Sequence, residues 1–453
     1  MDDTTPADEQ SKPIENHGRH KRKPHTIPPI PVAPNWREEI AALKDVGGEL
    51  AVALWRALRN VRLWLDTAPE RRKGLFDSPR RRTQEQIAYA CLRAPELIEP
   101  FGTFAFLLRA PARIEAVQVA EACHQVYTWA ESYSLLTTGV HFAEAAATVA
   151  PDDPAYANDA GWICFKAAFH ERAETWYNRG YGLAVRVRHS DLTVSRDQSI
   201  RSLLRLGILM QTIGNHDRAK EYYDLASRRA ARTGRRPLAA KASHDLLAYM
   251  AEVGSYADGE AYASQALDLY ALDAPQLPAL ASDFGFLLLR FHYYTYAILL
   301  LQLALPLIEQ PEHKVVVWSA LARAAAGARR WDLFRSAEKS TLPLAALYEQ
   351  YAPAAFVHLG EGARSVGDWD HAESYAAMAI EAARQRQQGF VERVAVELMD
   401  LIAARTPANP EETPPNPDQL RLLTRRFASR LRKWKAPVPG SSEPGTYKAS
   451  MNS

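Results

Sequence analysis

Cysteine is scarce, with three in 453 residues, and Cys91, Cys123 and Cys164 stand far apart and odd in number. That suits a reducing compartment and not a disulfide framework, and no pair has metal-ligand spacing. Charge of one sign is lacking too: 55 Lys+Arg meet 53 Asp+Glu for a net charge of +2. A chain that coats nucleic acid along its whole length is thereby excluded, and any basic function must be local. Long apolar runs are also missing. The most apolar stretch, 284–308, is broken by Arg290, His292, Gln302 and Pro306, which a membrane span would rarely carry. Residues 1–35 hold acids, prolines and the basic cluster 19–23, with none of the apolar stretch a secretory signal needs. A cytoplasmic protein is expected.

Catalytic signatures are absent as well. There is no Gly-x-Gly-x-x-Gly, P-loop, His-Glu-x-x-His or Gly-x-Ser-x-Gly, so the nucleotide, zinc and acyl-transfer chemistries those patterns support find no anchor. Ser336 and Lys339 have Ser-x-x-Lys spacing without companion motifs. Cys123 and Cys164 fall at inward slots of helices, where a small buried hydrophobe is expected. No catalytic residue, cofactor or metal is assigned, and a non-enzymatic protein is the expectation.

What is present is helix. With 47% hydrophobic and 24% charged residues the chain can bury a large core,. Six prolines between Pro13 and Pro34 mark residues 1–35 as a disordered tail,. An N-terminal helical region or cap over 36–119 follows, where Leu50, Leu54, Leu58, Val61 and Leu65 step by three and four with Arg56, Arg59 and Arg62 on another face,. Further helices are expected over 84–92 and 101–108, with the basic runs 71–73 and 80–82 as solvated linker. From Ala120 to Arg405 helical periodicity continues and no period-two run competes, so the chain is read as all-α.

One spacing recurs through that region. Leu206-Gly207 is followed by Gly214-Asn215, Ala219, Tyr223 and Ala226; related ladders run through Gly161, Ala173 and Tyr177, through Gly254, Gly259 and Ala263, through Gly285, Ala297 and Leu301, and through Gly360, Gly367, Ala372 and Ala376. Small residues let two antiparallel helices cross closely while an aromatic fills the space beside them, and Gly-Asn ends the first helix in the left-handed conformation. At these residues the chain resembles the tetratricopeptide repeat family. The resemblance implies a right-handed α-solenoid of stacked helix pairs, about seven units over 120–405. Between Gly139, Ala173, Ala219, Gly259, Ala297, Phe334 and Ala372 the steps are 34, 46, 40, 38, 37 and 38 residues, mostly longer than the common unit. Longer units resemble those in the helical sensor arms of some bacterial signalling regulators.

Such solenoids work by surface. First helices would line a concave groove, presenting Asn158, Lys166, Arg201, Gln211, Lys241, His244, Glu252, Arg290, Arg323, Glu361 and Arg364. The mild positive bias suits a protein or peptide partner of some acidity. Pro-rich 406–417 ends the repeats, and 418–435 reads as a basic amphipathic helix capped by Asn416. It carries Arg421, Arg425, Arg426, Arg430 and Lys433 around an apolar face of Leu420, Leu423, Phe427, Leu431 and Trp434. Three roles stay open for it: a cap folded back on the final repeat, an anionic membrane anchor, or a nucleic-acid patch. Residues 436–453 are expected to be disordered. Together these features point to a scaffold or adaptor binding a protein or peptide in its groove. The alternative is a sensor or regulatory arm of a bacterial signalling or transcriptional system that receives a peptide or small ligand.

Overall fold

The computed structural model describes residues 27–31, 43–76, 94–186 and 192–434; the helix expected over 84–92, the basic run 80–82, the tail 436–453, and residues 1–26 of the amino-terminal tail lie outside them. Among the described residues there are eighteen α-helices and no strand, as the apolar periodicity required. Two helices come first, α1 (Gly48–Asp66) and α2 (Ile98–Arg109). Seven antiparallel pairs follow: α3 and α4 (Ala116–Ser132, Leu136–Val149), α5 and α6 (Pro154–Lys166, His170–Arg186), α7 and α8 (Leu192–Thr212, His216–Thr233), α9 and α10 (Arg236–Val253, Tyr256–Leu269), α11 and α12 (Leu277–Arg290, Tyr294–Ala304), α13 and α14 (Pro311–Gly327, Trp331–Leu347), and α15 and α16 (Ala352–Ser365, Trp369–Gln385). The chain ends in α17 (Gly389–Ala403) and α18 (Pro417–Lys433).

The small-residue ladder is what brings each pair together. A Cβ added at Gly161 would fall 2.5 Å from the ring of Tyr177, and one at Gly207 would fall 2.6 Å from the ring of Tyr223. Both rings are fully buried, so the glycine is the space the aromatic occupies,. Six hairpins close with the same bond, in which the amide three residues past the helix end reaches back five residues: Leu135 to Ala130, Phe169 to Cys164, Asn215 to Met210, Tyr293 to Leu288, Arg330 to Ala325 and Asp368 to Ala363, at 2.7–3.0 Å,. This geometry needs a left-handed residue. Gly214 supplies it at φ 81°, and Ala168, His292 and Arg329 adopt it without being glycine, which hides those turns from a reading based on Gly-Asn.

At the amino-terminal end, Trp64 is buried and donates its indole N–H to the Pro111 carbonyl at 2.7 Å. Arg72, expected in a solvated linker, instead lies 3.7 Å over the Trp64 ring and donates to the carbonyls of Trp64 and Thr67. Residues 27–31 lie against α6, with the Pro28 carbonyl accepting from Arg179 at 2.8 Å.

Two long-range features shape the stack. The turn after α16 reaches back to earlier units: Arg386 donates to the Lys166 carbonyl at 2.8 Å, Phe390 packs on His216 at 5.2 Å, and Arg393 donates to His216 Nε2 at 3.1 Å. The turn after the seventh pair and the start of α17 thereby touch the turns of the second and third pairs. The segment 404–416 then straps across hairpin turns, its carbonyls at 406 and 407 taking Arg364 and its Glu411 carboxylate taking the Thr295 amide. It delivers α18 to the fourth and fifth pairs, not to the final repeat: Phe427 stacks on Phe284 at 5.3 Å, and Leu420, Leu423 and Leu431 are buried.

Candidate functional site

The first helices α7, α9, α11 and α13 enclose two cavities, of about 710 Å³ and about 360 Å³. Ile208, Lys241, Asp245 and Gln276 belong to the walls of both, so the cavities adjoin. Helix geometry dictates who lines them. Arg201, Leu204, Arg205 and Ile208 share one stripe of α7 because residues three and four apart share a face, as Lys241, Asp245 and Ala248 do on α9,.

The larger chamber is cationic. Arg201, Arg205, Arg235, Arg236 and Arg430 face it against Asp197, with the Lys241–Asp245 ion pair at the junction. Trp162, Leu204, Pro237, Leu238, Leu269 and Leu272 supply apolar wall. Arg205 is held by the Asn158 carbonyl at 2.6 Å and by Asp159 at 3.3 Å, and Arg235 by Asp197 at 2.5 Å. Burial, and then repulsion from Arg205, holds the Arg201 guanidinium below its ordinary value,. Arg430 arrives from α18 and donates to the carbonyls of Leu267, Tyr270 and Ala271 at the end of α10, where a cation meets the negative end of the helix.

The smaller chamber is acidic. Glu252, Asp283 and Glu309 line it, with no Lys or Arg other than the shared Lys241. Burial raises the Glu252 carboxyl to about 7, a hydrogen bond from Gln211 opposing this, Asp283 adding to it and Arg290 opposing it. Its Oε2 and the Oδ2 of Asp245, both buried, have no hydrogen-bond partner. His244 is fixed at both ring nitrogens, to Tyr270 Oη at 3.2 Å and to Asp283 Oδ2 at 2.7 Å, and burial depresses His313.

Of the residues selected from sequence, the structure gathers Arg201, Gln211, Lys241, His244 and Glu252 on these walls. Others are structural. Asn158 is buried, donating to Gln198 Oε1 at 2.9 Å and accepting from Ser202 at 2.8 Å. Lys166 pairs with Glu131 at 3.5 Å. Arg290 donates to the Glu252 carbonyl. Arg364 binds Glu361 and the strap, while burial of Glu361 is outweighed by Arg323 and Arg364, which hold its carboxyl low. On α18, Arg426 pairs with Asp268 and Arg430 faces inward, whereas Arg421, Arg425 and Lys433 stay on the exposed face, Arg421 beside Asp418. Sequence reading passed over Arg205, Arg235, Asp245 and Asp283. The four-residue step from Arg201 pointed to Arg205, and the same step from Lys241 pointed to Asp245; nothing in the sequence pointed to Arg430 as a wall of this cavity.

Both described cysteines are inert. Cys123 and Cys164 are buried, and burial pushes their thiols up,. Among the described residues no His, Cys, Asp or Glu cluster could hold a metal, and no helix is long and apolar enough to cross a membrane.

No protein-family model matches the chain, and no curated protein does. Among solved structures, the apo form of the quorum sensor NprR from B. thuringiensis aligns with 81% of this chain and 92% of that chain, with a TM-score of 0.39 and 11% sequence identity.

Proposed function

We propose that this chain is a non-catalytic binding module whose ligand is a short peptide held inside the first-helix cavity, and that it serves as the sensor or adaptor element of a regulatory system. The adjoining cavities carry this reading. They combine apolar wall with converging charges, the usual make-up of a ligand pocket, and their size suits a few residues of extended chain. Catalysis finds less support: His244 is committed at both nitrogens to Tyr270 and Asp283, and the described thiols are buried. A scaffold gripping a folded partner in an open groove is disfavoured by the contacts of Arg386 with Lys166 and of Arg393 with His216, which join distant units.

The test is native purification followed by denaturing extraction and mass spectrometry of everything below about ten residues, with Arg201→Glu/Lys241→Glu as the comparison. A peptide present in the wild type and lost from the variant supports the reading. Absence of any such species, together with no binding from a random short-peptide library, removes it.

A further inference from the structure

The two chambers adjoin and differ in sign, and that juxtaposition specifies more than a pocket. Apart from the shared Lys241 and Asp245, one side sets five arginines against Asp197, and the other sets Glu252, Asp283 and Glu309 with no lysine or arginine. Two buried carboxylate oxygens, Asp245 Oδ2 and Glu252 Oε2, lack partners, and Asp245 is only 6% exposed. An unpaired buried carboxylate oxygen is costly, so a donor brought by a ligand would relieve it. The fields of α7 and α9 agree in direction, although α11 and α13 begin at the acidic chamber and α10 ends at the cationic one. α7 and α9 both run from the cationic chamber toward the acidic one, so the amino end of α9, at Arg236 and Pro237, adds positive potential where the arginines are. Its carboxyl end adds negative potential beside Glu252.

Resting on the reading of this cavity as a peptide site, we infer that it is polarised for a short zwitterionic peptide with both termini free, the terminal carboxylate seated by Arg201, Arg235 and Lys241 and the terminal ammonium by Glu252 and Asp283. Lys241 and Glu252 are separated by about eleven residues of α9, or roughly 16 Å of helix. An extended chain rises about 3.3–3.6 Å per residue, so about five residues connect the chambers. The middle of such a peptide meets Leu204, Ile208, Ala248 and Phe286, which favours apolar side chains there. An ammonium beside Glu252, whose carboxyl is raised to about 7, favours its ionised form, so binding near neutral pH releases a proton.

The experiment uses the full chain and a set of apolar pentapeptides in four forms: both termini free, N-acetylated, C-amidated, and doubly blocked. Affinity is read by calorimetry in buffers of different ionisation enthalpy. The free form is expected to bind at least tenfold tighter than either singly blocked form, with three- and eight-residue peptides weaker. Arg201→Gln/Lys241→Gln should erase the penalty for amidation and keep that for acetylation. Glu252→Gln, an isosteric change, should do the reverse and abolish proton release; unchanged melting curves confirm that the variants fold. Equal binding of all four forms, still weakened by Arg201→Gln/Lys241→Gln, overturns the polarity but keeps the peptide site. A reversed pattern of penalties overturns the orientation and with it the inference, and failure of every form to bind overturns both.

Discussion

Adding one methyl group at Gly207 should destabilise this protein, although helix propensity alone predicts the opposite sign. Ala in place of Gly inside a helix gains up to about 1 kcal/mol. At Gly102, an exposed position of α2 where an added Cβ meets nothing within 4 Å, that gain should appear undiluted, at about 0.5–1 kcal/mol,. At Gly207 the same atom lands 2.6, 2.8 and 2.9 Å from Cε1, Cδ1 and Cζ of Tyr223. The ring is closely held, although it borders the smaller cavity. It is 1% exposed, its hydroxyl donates to Gln211 at 2.7 Å, and it packs on Tyr249 at 5.7 Å. Overpacking of this kind costs roughly 1–3 kcal/mol, which exceeds the propensity gain over most of its range. Gly207→Ala should therefore lower the urea midpoint with m unchanged, while Gly102→Ala raises it. Combining Gly207→Ala with Tyr223→Leu should recover part of the loss as a favourable coupling of about 0.5–3 kcal/mol. A solenoid can unfold in parts, so hydrogen exchange across α7 and α8 should accompany the global curve. A Gly207→Ala midpoint at or above wild type would refute the crossing geometry on which the whole stack depends.

Phe427→Ala should cost about 3–5 kcal/mol, the range for a large buried aromatic, because its ring is buried against Phe284; a lower melting temperature and proteolytic release of α18 would show it, and an unchanged melt would mean that α18 is not docked. Glu252 has its carboxyl raised from 4.5 to about 7, chiefly by burial, with Gln211, Asp283 and Arg290 around it. The native state thus keeps a proton that the unfolded chain has lost across that window, and stability should fall as pH rises from about 4.5 to 7. Urea midpoints against pH should lose that slope in Glu252→Gln. His216 behaves in the other sense: burial, then Arg393, depress it, with Asp217 opposing and Phe390 and Tyr249 packed on its ring. The contact between α17 and α8 should hold above the ordinary histidine range and weaken as pH falls below it, read as faster hydrogen exchange over 386–393, with His216→Gln insensitive to pH.

The sequence by itself determined the local architecture. Which segments are helical, which helices pair, and that glycine faces tyrosine at the crossings of Gly161 and Gly207 were legible, because a helix pair closes within about forty residues and its packing constraint is written as periodicity and small residues. The turns were half legible: Gly214 signals its left-handed conformation, whereas Ala168, His292 and Arg329 take it through the backbone bonds around them. The charged faces were legible as faces and not as partners. Lys166 and Arg201 looked equivalent along the chain, yet one pairs with Glu131 and the other borders a cavity.

Only the tertiary structure decided how the ends of the stack meet. The contact of Arg386 with the Lys166 carbonyl, the docking of Phe427 on Phe284 and the reach of Arg430 to the end of α10 join positions far apart in sequence. Each depends on small rotations accumulated from unit to unit, and a repeat's sequence encodes only its fit to its nearest neighbours. The segregation of charge into a cationic and an acidic chamber has the same origin. It arises from four first helices laid side by side and from the field of α9 along its axis,, and no single stretch of sequence carries it.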